Sequence, residues 1–330
     1  MVADPGADQR EIAVTPYSGL MTKSAINSDN TALPAVYDLK ISASWNPASG
    51  SSLSRTNYFS DVQFAKDGSN PWKGSPAQYW PLAGTLDFIA YGCHGLNTAA
   101  EGVSTTPTWG DDGNVAKKVS IVTDDIATKF DDLVYGASNG NTCPSTTVNL
   151  SLKHACTALC FTFASNTSAA TSNIVVTSIA VNGVHTAGTF TFTNNHAAGG
   201  SSDDAASWGT FTDDAHSVWA RVWSSTDGTS NETEVSTTNT ISVGSTASTE
   251  PFGDAYVLIP AQTPTNFTIT YNMGAITGLT HTYTCANTET WPVNTKVTYA
   301  INFNLREITV TPTVVTWGTG SYSVTIQPAS

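Results

Sequence analysis

Charge is scarce in this chain of 330 residues. Asp, Glu, Lys and Arg make up 12% of it, about half the usual share of roughly 25%. Basic residues are scarcest, 13 against 26 acidic, for a net charge of −13. Phosphate backbones and anionic lipid repel such a surface, and no basic run offsets it, which excludes nucleic-acid and membrane-surface binding. No apolar run is long enough to cross a bilayer, and residues 2–10 lack the apolar stretch of a leader. Either the protein is cytoplasmic or a leader was removed upstream, and the low Lys with high Thr, Ser, Asn and Trp favours the second. Cysteine is sparse and odd in number: Cys93, Cys143, Cys156, Cys160 and Cys285, with no CxxC. Cys156 and Cys160 lie in a strand-like run, where four residues span about 13 Å, beyond disulfide reach. Buried, reduced thiols are expected, with one bridge among Cys93, Cys143 and Cys285 left open by an oxidising compartment. A sustained helical period is also missing, except from Asp124 to Leu133, where Ile126, Phe130 and Leu133 share one face.

What fills the chain instead is Thr, Ser, Asn, Ala and Gly in period-two alternation. Thr189–Thr193, Phe267–Tyr271, Tyr37–Ala43 and Val297–Phe303 each carry one apolar face and one mostly polar face, as half-solvated antiparallel strands require. Turn pairs such as Asn46-Pro47, Asn139-Gly140 and Asp227-Gly228 punctuate them. The fold class expected is all-β with few or no helices, in two domains, 1–145 and 146–330. The boundary is drawn after the turn-rich Gly136–Ser145 and before Val148–Phe163, which from Ala155 onward is apolar on both faces and reads as a central strand. Residues 194–214, rich in Gly, Ser, Asp and Ala, read as a long exposed loop. Both ends read as strands. Glu11–Tyr17 opens the chain, with Ile12, Val14 and Tyr17 apolar and Lys23 shortly after. Near the other end Tyr322, Val324 and Ile326 form an apolar face with almost nothing beyond it, suited to joining a sheet edge in its own chain or another.

Chemical motifs are weak. Gly136-Ala-Ser-Asn-Gly140 matches G-x-S-x-G but is followed by Cys143-Pro144-Ser145 and a strand, so it reads as a turn and not a nucleophile elbow. His154, Cys156 and Cys160 alternate on one strand face, yet the two cysteines are too far apart for one zinc ion, and core packing accounts for them. The adjacent Asp pairs at 111/112, 124/125, 131/132, 203/204 and 213/214 point apart and lack the alternation of a calcium loop. No catalytic group, metal or cofactor is therefore expected, and the chain reads as a non-enzyme. Ser217–Trp223 is the most pointed feature. Alternation sets Val218, Ala220 and Val222 on one face and Trp219, Arg221 and Trp223 on the other, a platform for sugar stacking or a subunit contact. Packing of these tryptophans under 194–214 is the structural alternative.

Several loose motifs, in order and spacing, together resemble the fimbrillin family, the type V pilins of Bacteroidetes. They are Ile12-Ala-Val-Thr-Pro-Tyr17 before Thr22-Lys23-Ser24-Ala25, Tyr79-Trp80-Pro81-Leu82 before Leu86–Tyr91, Asp132-Leu-Val-Tyr135, Val148–Ala155, Ile179-Ala-Val-Asn-Gly183, Val257-Leu-Ile-Pro260 and Arg306–Pro312. The resemblance implies two transthyretin-like Greek-key β-sandwich domains, a lipoprotein precursor at the outer membrane, and an extracellular fimbria assembled from copies of this chain or related pilins. It implies assembly by strand exchange: a protease cuts after a basic residue, the first strand leaves, and another subunit's C-terminal strand fills the groove. Carried over, Ile12, Val14 and Tyr17 lie on the displaced strand, Lys23 is the processing residue, and Tyr322, Val324 and Ile326 are the donor side chains. The pattern departs at the cut, since the arginines nearby are Arg10 and Arg55, and cleavage at Arg10 would leave the strand attached. Host or bacterial surface glycans or proteins are the further partners implied by an adhesive role, and a monomeric glycan-binding sandwich is the alternative function.

Overall fold

The alternating runs fold as strands. In this computed structural model the residues described are 10–18, 31–32, 37–66, 71–94, 108–109, 118–123, 132–143, 147–165, 173–194, 203–222, 233–249, 252–303, 308–316 and 324–325. Every regular element among them is a strand, so the protein is all-β as expected. Asp124 to Asp131, where a helical turn is expected, lies outside the described residues.

The first sheet has the order Val148–His154, Val134–Asn141, Thr85–His94, Tyr37–Asn46, Thr56–Ala65, Trp72–Ser75, Ala13–Ser18 and Thr31–Ala32. It closes on itself, because Ala13–Ser18 also pairs, in parallel, with Val148–His154. The closed sheet wraps a core of Ile12, Val14, Leu39, Ile41, Phe64, Trp72, Trp80, Phe88, Val148 and Leu150. Alternation of apolar and polar residues sets this register, since a slip by one would turn the apolar set to water.

The chain changes sheet at Ala155. Val148–His154 belongs to the first sheet and Cys156–Ser165 to a second, so the continuous apolar run resolves into two strands, and the sheet change falls after the 145 boundary. Cys156–Ser165 is buried at all its positions. One face joins Phe161, Phe163, Val257 and Tyr299 in the largest core, and the other lies with Ala158, Cys160, Phe252 and Leu258 in a smaller one. The second sheet runs Thr233–Glu234, Arg221–Val222, Ala255–Pro260, Cys156–Ser165, Thr295–Phe303, Ile308–Thr316 and Val324–Thr325. It shares the largest core with a third sheet of His216–Trp219, Ile174–Val184, Asn266–Met273 and Ile276–Thr284, with Ile241–Ser242 alongside.

A fourth sheet corrects the sequence reading. Asp203–Phe211, expected within an exposed loop, is a strand paired with Gly188–Asn194, which in turn pairs with Lys118–Val122 from the first half of the chain. Small residues mask its alternation, but Trp208 packs 5.3 Å from Phe190 and its indole donates to the Ala155 carbonyl at 2.7 Å. Tyr135 lies 4.9 Å from both Phe190 and Phe192 with its ring tilted against each, and the amides of Asn139 and Asn194 exchange two buried hydrogen bonds of 2.8 Å. These contacts join the two halves.

The G-x-S-x-G segment is likewise not a turn but part of Val134–Asn141. Its Gly140 amide donates to the buried Asp87, which also pairs with Arg55, so the segment is held inside the sheet. Gly136 lies against Val148–His154 so closely that a β-carbon would collide with the Ser151 carbonyl oxygen. Gly136→Ala should therefore cost about 1–3 kcal/mol, as overpacking does in a dense interior, read as a lower midpoint in urea unfolding.

Candidate functional site

The opening strand is a central member of its sheet although it comes from the extreme end of the chain. Val14 to Ser18 pair in parallel with Val148 to Leu152 on one side. On the other, Ala13 and Val14 pair with Lys73 and Trp72, and Tyr17 and Ser18 with Ala32 and Thr31. The preceding residues extend the clamp: Ile12 N donates to Gln78 O at 2.7 Å, Trp80 N donates to Arg10 O at 2.9 Å, and Glu11 is ion-paired with Lys73. Ile12 and Val14 are fully buried. Each contributes about 1.5–3 kcal/mol of burial, and the ladder on both sides satisfies the backbone. Beside this strand the Trp72 indole N–H is buried without a hydrogen-bond partner among the described residues. Such an orphaned donor costs about 1–3 kcal/mol.

The other end of the chain is held differently. Val324–Thr325 sits at the margin of the second sheet, paired with Val314 and Thr313 at two register positions. Tyr322, Ile326, Lys23 and Trp223 lie outside the described residues.

The chain around Trp219 divides between two sheets. Val218 and Ala220 are buried and Trp219 is 47% exposed, in accord with the alternation. Trp219 pairs with Ala180 in the third sheet, whereas Arg221 pairs with Tyr256 and Glu234 in the second, so the expected platform is split at Ala220.

Trp219 begins a cross-strand row. Ala180, Thr268 and Thr282 follow it in register across the third sheet, and the Thr268 and Thr282 hydroxyls are 2.9 Å apart. Beside it Ser217 Oγ donates to Asn182 Oδ1 at 2.8 Å, and Asn182 Nδ2 donates to Asn266 Oδ1 at 2.9 Å and Thr268 Oγ1 at 3.1 Å. None of the five strands of this sheet contains Asp, Glu, Lys or Arg. Sequence reading found Trp219 but missed this ladder, whose signal was the loss of charge over 174–184 and 266–284.

Among the described residues no cluster of His, Cys, Asp and Glu could hold a metal ion. His154 is bound instead to Asp132, its Nδ1 2.8 and 2.9 Å from the carboxylate oxygens. Cys93, Cys156, Cys160 and Cys285 are buried, and Cys143 is exposed. Burial pushes the Cys160 thiol up to about 12, far from a reactive thiolate.

The strand that carries Trp219 is tied down at its start by Asp213. Burial favours the neutral carboxyl, but the Thr186 amide at 2.7 Å, the Ala187 amide and the Thr186 hydroxyl at 3.2 Å outweigh it and hold Asp213 below its usual value. A carboxyl depressed in the native state adds stability above its unfolded pKa, and that stability is lost as pH falls through the native value. Asp213→Asn should therefore melt below wild type at pH 7, and the gap should close as pH falls below about 4, read by thermal unfolding across pH.

A fimbrillin-like family profile matches residues 37–317. No match was found among curated protein sequences. Among solved structures, a fimbrial protein from Bacteroides vulgatus superposes with a TM-score of 0.52 at 17% identity, covering 93% of this chain and 99% of that one. A protein from Bacteroides uniformis, described as a candidate for cell adhesion, gives 0.51 at 14% identity over 94% and 99%. At these identities the two structures speak for the fold, while the profile, which spans most of the length, speaks for descent. The chain belongs to the fimbrillin-like family.

Proposed function

We propose that this protein is a structural subunit of a cell-surface fimbria, built as two transthyretin-like β-sandwich units and polymerised by exchange of terminal strands. The two units in this reading are residues 1–145 and 146–330, and the passage of the chain between sheets at Ala155 supports a division in this region. The observation that carries the reading is the position of Ala13–Ser18. It is held on both sides by strands that also pair elsewhere, Val148–His154 with Val134–Asn141 and Trp72–Ser75 with Thr56–Ala65. Its departure frees the ladder edge of Val148–His154 and opens a groove lined by Trp72, Trp80, Val148 and Leu150. A free, apolar strand edge of this kind recruits another strand.

The donor in this reading is the chain's own C-terminal segment, offered by another copy or a related pilin through Tyr322, Val324 and Ile326. The place of Val324–Thr325 at a sheet margin supports the role. The Trp72 indole supports exchange in a second way, because among the described residues no group of the first strand accepts from that buried donor. Cleavage after Lys23 would sever the first strand from the rest. Export as a lipoprotein precursor and display outside the outer membrane complete the proposal. Family membership points to a non-enzymatic role, and assembly here proceeds by packing and hydrogen bonding alone. Among the described residues no helix is long and apolar enough to cross a membrane.

Cutting the purified chain with a Lys-specific protease should convert monomer into ladders on native electrophoresis and filaments by electron microscopy. Removal of residues 318–330 should leave the cut protein monomeric. Persistent monomer after cleavage at Lys23 would overturn strand exchange.

A further inference from the structure

We propose that the outer face of the third sheet, centred on Trp219, binds an uncharged glycan. Recognition of a neutral sugar calls for an aromatic plane against its C–H face and for side chains that both donate and accept hydrogen bonds to its hydroxyls. Both are present in one place. Trp219 is 47% exposed on the marginal strand and in register with Ala180, whose small side chain leaves the approach to the indole low. Beyond Ala180 the row continues through Thr268 and Thr282, and Ser217 and Asn182 flank it. Four strands at a spacing of about 4.8 Å put some 14 Å between the tryptophan and Thr282, the reach of a short oligosaccharide.

The groups are held ready. Asn182 accepts from Ser217 and donates to Thr268, whose hydroxyl is bonded to that of Thr282. This chain of bonds fixes the orientation of each side chain, while the hydroxyls and amide oxygens keep further lone pairs for a ligand. A pre-organised polar row loses little conformational freedom on binding.

Electrostatics select the occupant. The face carries no Asp, Glu, Lys or Arg, in a protein of net charge −13. A sialylated or sulfated glycan would meet the negative field of the whole molecule with no cation on the face to offset it, so the complement of this surface is a neutral ligand. A protein partner is less well matched, since buried interface centres cluster several apolar anchors, and the other large exposed apolar residue of this sheet, Ile276, stands six residues along its strand from Thr282, away from Trp219. The inference rests on this sheet and not on strand exchange, so either can fail alone.

The test uses the intact, uncleaved chain as a monomer on a printed array of neutral oligosaccharides, with sialylated and sulfated counterparts alongside. Binding should be confined to neutral members. Trp219→Ala should weaken the best of them by at least about tenfold, about 1.4 kcal/mol, and Trp219→Phe should retain part of it. Thr282→Val should weaken it without altering thermal unfolding. Leu82→Ala, which removes a side chain 90% exposed elsewhere, should change nothing. Absence of any neutral glycan signal, equal binding of charged glycans, or equal binding by Trp219→Ala would overturn the proposal. So would self-association of the monomer that Trp219→Ala abolishes, because the face would then be a contact between copies.

Discussion

The closed sheet of the first half depends on a strand that sits at its centre in space and at its end in sequence. Ala13–Ser18 bridges Val148–His154 on one side and Trp72–Ser75 with Thr31–Ala32 on the other. With it in place the ladder has no open edge there, and Ile12 and Val14 complete the core. Without it, the strand edges and the apolar groove would face water together. A free edge over an exposed core is an unstable surface and a specific one, because register and side-chain pockets both select what may fill it.

The opposite end of the chain has the opposite character. Val324–Thr325 lies at a sheet margin, paired with Val314 and Thr313, where the opening strand pairs with Val148–His154 on one side and with Trp72–Ser75 and Thr31–Ala32 on the other. Among the described residues, one strand is thus set between neighbours and the other at an edge. Between them the two halves are joined by sheet pairing and by side chains: the fourth sheet mixes strands from both, Tyr135 lies against Phe190 and Phe192, and Asn139 pairs with Asn194. Such a junction ties the two halves through packed rings and buried amide bonds.

Much of this was legible in the sequence, because period-two alternation is a direct image of a half-buried sheet. Phe190 with Phe192, Phe267 with Ile269, and Val297 through Phe303 all turn their apolar members inward as written. Legibility failed where composition hid the alternation. Asp203–Phe211 has Ala, Ser or Gly at four of its nine positions, and its strand state comes from pairing with Gly188–Asn194 across the intervening Gly- and Ser-rich segment. Gly136 and Gly140 resemble turn glycines, yet the first is needed because Ser151 approaches closely. The break at Ala155 was invisible because no Gly, Pro, Asn or Asp stands between Leu150 and Phe163 to mark it. In the candidate site, Trp219 was visible as an aromatic among alternating residues, but the row through Thr268 and Thr282 exists only once four strands lie in register.

The most direct measurement is hydrogen exchange at the Val148 to Leu152 amides in protein lacking residues 1–23, with and without a synthetic peptide of residues 318–330. If the first strand's place is the acceptor groove, removal should raise exchange there and the peptide should restore protection in register. Unchanged exchange on removal, or no protection from the peptide, would contradict the account.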